Sequence, residues 1–227
     1  MDPHFTPALF TFLAELAANN DREWFRANRR RYEADVKEPA LRFIAGFAPH
    51  LARISPHFRA VPRATGGSLF RVHRDTRFSK DKRPYKTHTD IHFRHEAAKD
   101  AHAPGFYLHL EPGRVFAGAG TWRPAGPALG AIRETIHKDA DGWLRASGDP
   151  RLRASFELAG DSLIRAPRGF SPGHPLIADL RRKDFIAVAP LDEDAVVSSG
   201  FMTVFAELCR DAAPFQRWLC GALRVPF

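Results

Sequence analysis

Apolar positions along the chain change period twice. Up to Leu51 they recur at helical spacing: Leu9, Phe10, Leu13 and Leu16, then Trp24, Phe25 and Tyr32, then Leu41, Ile44, Phe47 and Leu51. Thr6-Pro7 supplies an N-cap and an N1 proline for a first helix ending near Ala18. Asn19-Asn20-Asp21 breaks it, and Asn20 with Glu23 three residues on predicts a capping box for a second helix. Pro39 is expected to open a third.

From Ser68 the period becomes two. Phe70 and Val72 alternate with Arg71 and His73; Thr89, Ile91 and Phe93 with His88, Asp90 and His92; Phe106, Leu108 and Leu110 with Tyr107, His109 and Glu111. Three strands are predicted, and a fourth over Val115–Trp122 after the turn Pro112-Gly113, where Gly118 and Gly120 suggest a bulge or a close approach of backbone or ligand. Beyond these, the pattern predicts a helix over 127–145, a hairpin about Gly160-Asp161, a short helix from Pro175, a strand over Phe185–Val188, and helix over 199–223 restarted at Pro214. Helices, then strands, then a mixture predict an α+β fold: a largely antiparallel sheet with helices packed mainly on one face. A single domain over 1–227 is expected, with a helical part at 6–54, a sheet part at 68–122 and a mixed part at 127–227.

Composition supports a globular chain: 227 residues, 44% hydrophobic and 26% charged. Glu15 interrupts the apolar stretch Ala8–Ala18, and no apolar run reaches the roughly 18 residues a membrane span needs, so neither export nor membrane insertion is expected. Cys209 and Cys220 fall eleven apart in helical sequence, roughly 16 Å at the helical rise and too far to bridge. Reduced thiols and a cytoplasmic location are the corresponding expectation.

Charge narrows the search. The formal net charge is +8, and 27 of the 34 basic residues are arginine. Between Arg71 and His88 seven cations (Arg71, Arg74, Arg77, Lys80, Lys82, Arg83, Lys86) face two anions (Asp75, Asp81), so 7 − 2 = +5 lies in 18 residues. Exposed ion pairs contribute only about 0–1 kcal/mol, so such a segment is a poor stabiliser and reads better as an anion-binding loop. Arginine offers a fork matching phosphate or carboxylate, lysine a point charge, Ser79 and Thr87 hydroxyls, Phe78 and Tyr85 flat surfaces, and Pro84 stiffness.

If the predicted strands are neighbours, Arg71, His73, His88, Asp90, His92, Tyr107, His109 and Glu111 share one face. His88, Asp90 and His92 have the composition of a two-histidine, one-carboxylate metal site, but the +5 neighbourhood opposes a dication, so neither metal nor cofactor is expected. Histidine titrates near neutrality, which makes His88 the best candidate for proton transfer, beside Asp75 and His109. No phosphate-cradling Walker loop, dinucleotide fingerprint, nucleophile elbow or metalloprotease helix occurs. Nucleic acid is a competing partner, with Trp24, Phe78, Tyr85, Tyr107 and Trp122 as stacking surfaces, although the charge is concentrated in one segment. A protein-interaction module is the third reading, and it predicts a shallow surface without a pocket beside Arg71, Arg77 and Lys86.

The string from Arg71 to His88, RVHRDTRFSKDKRPYKTH, resembles the signature of an uncharacterised family of conserved hypothetical proteins, a domain of unknown function found in bacteria and fungi. NNDREWFRAN at 19–28, GFYLHL at 105–110, GAGTW at 118–122 and PRGFSPGHP at 167–175 resemble its other motifs. The resemblance covers nearly the whole chain and implies no activity. It also implies glycine where Asp90 stands. The residues themselves point to a small phosphate- or carboxylate-bearing ligand held by Arg71, Arg74, Arg77, Lys82 and Lys86. Ser79, Tyr85 and His109 would orient it, His88 would move protons, and hydrolysis or transfer is the chemistry such a site would serve.

Overall fold

The computed structural model describes residues 3–77, 79–97 and 103–227; Phe78, offered above as a flat surface, lies outside them. Helix α1 (Pro7–Ala18) buries Leu9, Phe10, Phe12, Leu13 and Leu16 along one stripe. Helix α2 (Arg22–Ala27) is capped by Asp21, whose Oδ1 accepts from the N–H groups of Glu23 and Trp24, both at 2.9 Å. The cap thus falls one residue later than predicted, because Asn20 is engaged elsewhere. Pro39 stands in the first turn of the predicted third helix, but no break precedes it. Helix α3 (Arg29–Arg31), a π-helical turn (Tyr32–Lys37) and α4 (Glu38–Ile54) follow one another directly. The wider turn immediately precedes the proline, whose ring and missing N–H a regular ladder accommodates badly.

The sheet contains β1 (Thr89–Arg94), β2 (Gly105–Glu111), β3 (Arg114–Thr121), β4 (Glu157–Ala159) and β5 (Phe185–Leu191), in the order β1-β2-β3-β5-β4, every pair antiparallel. Register fixes which side chains share a face: Ile91, Leu108, Ala117 and Ala189 stand in one row, Phe93, Phe106, Ala119 and Ala187 in the next. These are buried. Against them pack α1 together with α10 (Phe201–Asp211) and α11 (Ala213–Ala222), while the Phe47 ring of α4 lies 4.7 Å from that of Phe93. The fold is therefore α+β, with this face of an antiparallel sheet covered by helices.

Other expectations need correction. Helix over 127–145 is divided into α5 (Gly126–Lys138) and α6 (Ala140–Ser147) by Asp139, whose carboxylate caps the second by accepting from Gly142 N at 2.9 Å. Helices α7 (Pro150–Ser155), α8 (Ile177–Leu180) and α9 (Glu193–Val196) are short. No hairpin forms about Gly160-Asp161; β4 pairs with β5, and Asp184 Oδ2 accepts the Asp161 N–H at 2.8 Å. The β2–β3–β5 ladders run unbroken past Gly118 and Gly120, so there is no bulge. Gly120 instead has φ +126°, and a Cβ there would collide with the Phe185 carbonyl oxygen. Cys209 and Cys220 are unpaired and buried, and burial pushes both thiols up, Cys220 to about 12. No helix among the described residues is long and apolar enough to cross a membrane.

Candidate functional site

The predicted strand over 70–73 is replaced by a bent arm. Its start runs along the edge of β1, with Phe70 N donating to Asp90 O (3.0 Å) and His92 N to Ser68 O (2.8 Å). The chain then leaves β1 and pairs with its own continuation: Arg74 N donates to Pro84 O at 2.9 Å and Lys86 N to Val72 O at 2.8 Å. Bridges at Leu69–Ile91 and His73–Tyr85 mark the two pairings. Because the arm bends, Arg71 and His73 do not join the polar face of β1 and β2 as expected.

Asn20 fixes the far side of the arm. Its Nδ2 donates to Tyr85 O and its Oδ1 accepts from Tyr85 N, both at 3.0 Å, so one side-chain amide serves the backbone as a neighbouring strand would. The Tyr85 ring stacks on Phe25 with centroids 4.1 Å apart and is buried. The Asn-Asn-Asp turn thus reaches the cationic segment.

Three of that segment's seven cations are ion-paired within it. Asp81 accepts from Arg74 (2.6 Å) and Arg83 (2.8 Å), Asp75 from Arg77 (2.7 Å), and Lys82 Nζ donates to the Thr76 carbonyl (2.9 Å). The Arg77 hydrogen bonds hold the Asp75 carboxyl down at about 2, and those from Arg83 and Arg74 hold Asp81 lower still.

On the sheet side the arm meets a buried polar network centred on Asp90. Its Oδ1 accepts from the Tyr107 hydroxyl at 2.6 Å and faces His109 Nδ1 at 2.9 Å. Its Oδ2 accepts from Lys86 Nζ at 2.9 Å and faces His88 Nε2 at 3.2 Å. Burial opposes ionisation of Asp90, but the hydrogen bonds of His109 and His88 and the Lys86 charge outweigh it and hold the carboxyl well below its usual range. Burial together with the Asp90 charge pushes the Tyr107 phenol up, so it stays a donor. His109 Nε2 lies 3.2 Å from Glu111 Oε2, and Thr87 Oγ1 donates to Glu111 Oε1 at 3.2 Å. His92, two residues along, belongs to a different environment: its ring lies parallel to that of Phe70, and burial lowers it to about 4.

Three cavities surround the arm. One of about 440 Å³ is lined by Arg74, Tyr85, Lys86, His88 and His109 of the predicted set, with Asp75, Asp81, Arg83, Thr87, Glu111 and Arg114. A second, about 490 Å³, lies across Tyr85 and takes Arg71 and His73 together with Arg26, Arg29 and Lys37. The third, about 780 Å³, is the open face of the sheet: Gly118, Gly120, Phe116, Ile186, Val188 and Trp122 form its apolar part, with Lys86, Asp90, His92, Tyr107 and Arg114 at its polar end. Arg77, Ser79 and Lys82 line none of these cavities among the described residues. The arginines and lysines expected to converge on one anion are therefore divided: Arg74 and Lys86 on one side of Tyr85, Arg71 on the other, Arg77 and Lys82 outside.

Of the aromatic residues considered for stacking, Tyr85 is buried, Trp24 packs 5.6 Å from Phe12, and the Tyr107 hydroxyl is bonded to Asp90, whereas Trp122 is exposed beneath the Arg123 guanidinium. Arg114 and Phe70 are site residues that the sequence reading missed. The signal for Arg114 was the Pro112-Gly113 turn: a tight hairpin pairs Glu111 with Arg114 and puts both on the same face.

A family model described as a conserved hypothetical protein, DUF2461, matches residues 8–218. The chain belongs to the DUF2461 family. The match takes in the arm, the Asn20 turn, every strand and all three cavity linings of this DUF2461 member. No curated protein and no solved structure matches it.

Proposed function

We propose that this DUF2461 protein binds a small phosphate- or carboxylate-bearing molecule on the open face of its sheet. The anionic group would sit at Lys86 and Arg114, with Arg74 at the rim, and an apolar body would lie over Gly118 and Gly120. The observation that supports this reading is that Lys86 and Arg114 line both the polar 440 Å³ cavity and the largely apolar 780 Å³ groove, so one ligand can span them. A concave, mostly apolar site with a few convergent polar groups is the usual form of a small-molecule site. His88 is half-buried beside Asp90, and we assign proton transfer to it, the contribution a hydrolase or transferase acting on that anion would need.

1-Naphthyl phosphate and 1-naphthol make the test, read by calorimetry and thermal shift. The phosphate is expected to bind saturably and raise Tm, and the alcohol to bind at least about tenfold more weakly, a 1.4 kcal/mol difference that one charge-assisted contact supplies. Lys86→Ala or Arg114→Ala should abolish the preference, whereas Arg77→Ala should keep it. Equal affinity for the two compounds, or none for either, would overturn the reading. Tight oligonucleotide binding that collapses with salt would favour the nucleic-acid alternative instead.

A further inference from the structure

The sequence suggests a metal set of His88, Asp90 and His92 on one strand, against which stands the +5 neighbourhood. The strand register assembles a different group. It brings His109 and Glu111 of β2 against His88 and Asp90, while the His92 ring lies against Phe70. Candidate ligand atoms of His88, His109 and Glu111 all lie within 4.8 Å of one another. Donors placed about 2.0–2.2 Å from a common centre lie about 3.3–4.4 Å apart, so this group is slightly open and needs only a small inward adjustment of its side chains to seat an ion.

Asp90 gives the group its direction. It faces one nitrogen of each histidine, Nδ1 of His109 at 2.9 Å and Nε2 of His88 at 3.2 Å. The opposite nitrogens, Nε2 of His109 and Nδ1 of His88, both face the Glu111 carboxylate, at 3.2 Å and 4.0 Å. A carboxylate that accepts the N–H of one ring nitrogen fixes the tautomer and leaves the lone pair on the other, the arrangement found behind metal-bound imidazoles. Asp90 is itself held by Tyr107 and Lys86, and Glu111 by Thr87.

We propose that His88 Nδ1, His109 Nε2 and Glu111 bind a divalent first-row transition-metal ion, with Asp90 as the positioning residue for both imidazoles. Two nitrogen donors select such an ion over magnesium or calcium. The cationic surroundings that argued against metal are partly offset: Asp81 pairs with Arg74 and Arg83, and Asp90 with Lys86. His88 and Glu111 are 28% and 27% exposed, so the remaining coordination positions open onto the 440 Å³ cavity. With both His88 nitrogens engaged, this site would replace the proton-transfer role proposed for His88; a metal-bound anion would lie beside Arg74 and Arg114, although the metal site stands without the anion-binding reading.

The test uses tag-free, chelator-treated full-length protein titrated with Co²⁺ and then Zn²⁺, read by cobalt visible absorption and calorimetry. One equivalent of Co²⁺ is expected to bind with ligand-field bands and to be displaced by Zn²⁺. His88→Ala and Glu111→Gln, both at half-exposed positions, should each remove the bands, and Asp90→Asn should weaken binding by about 10–100-fold with stoichiometry kept. Circular dichroism on each variant verifies that the fold persists. His174→Ala, at a half-buried imidazole that meets His137 at 3.0 Å, should leave the bands unchanged. Absence of stoichiometric binding, bands that survive both His88→Ala and Glu111→Gln, or bands lost with His174→Ala would overturn the proposal. Naphthyl phosphate binding measured in excess chelator reports on the anion site alone, so the two readings fail separately.

Discussion

Strands β1 and β2 present Ile91, Phe93, Phe106 and Leu108 on one side and Asp90, His92, Tyr107 and His109 on the other, and both sets are at least nine-tenths buried or, for Tyr107, partly so. The first side needs no particular geometry, since each square ångström of apolar area removed from water stabilises by about 25 cal/mol. The second must satisfy every donor and acceptor merely to break even, because an unpartnered buried polar group costs about 1–3 kcal/mol. Stability explains the first face and leaves the composition of the second unexplained. The difference therefore directs attention to ligand chemistry on the polar side.

Substitutions can break that contrast. The largest effect is expected for Phe106→Ala, which opens a cavity in the fully buried face and should lower unfolding free energy by about 3–5 kcal/mol in a urea titration. Next comes pH. His92 is held near 4 by burial, with Arg94 adding to it, so below about pH 6.5 the unfolded ring takes a proton that the native ring refuses. The His92 contribution should be level above that pH and fall by roughly 3 kcal/mol between pH 6.5 and 4; below that, the depressed carboxyls of Asp90, Asp81 and Asp75 add a further loss of their own. His92→Gln should flatten this window, and an unchanged slope would assign the loss to other groups. Asp90→Asn should cost about 1–3 kcal/mol, since the amide keeps an acceptor for Tyr107 but loses the charge facing Lys86. Arg77→Ala removes an exposed pair with Asp75 and should stay within about 1 kcal/mol of the parent. If Asp90→Asn were instead neutral and Arg77→Ala costly, the polar face would be ordinary surface and the arm the true scaffold.

The α+β class was legible because periodicity reports burial directly: Leu9 to Leu16 gave a helix, and Thr89 to Phe93 and Phe106 to Leu110 gave strands whose inward residues are those predicted. Phe70 to His73 shows the limit. Its alternation is as regular as theirs, but an edge segment can trade its ladder for local pairing, and Val72 pairs with Lys86 instead of β1. Gly105 entered only as the first letter of the motif GFYLHL, and nothing in the alternation shows that the His92 ring occupies the place of its missing Cβ. His88, His109 and Glu111 were each named in the sequence, but which nitrogen faces which carboxylate depends on the exact strand register, which alternation alone does not supply. Likewise, seven cations in one window indicated an electrostatic site but could not show that Asp75 and Asp81 hold three of the arginines from within.

The Asn20 amide, bonded both ways to Tyr85, also has an order in time. A chain emerging from its N-terminus exposes Asn20 long before residue 85 follows, so the receptor for the cationic arm is made first and waits. A side-chain carboxamide carries a donor and an acceptor at peptide spacing, so Asp at position 20 would set an acceptor against the Tyr85 carbonyl oxygen and leave the arm unmoored.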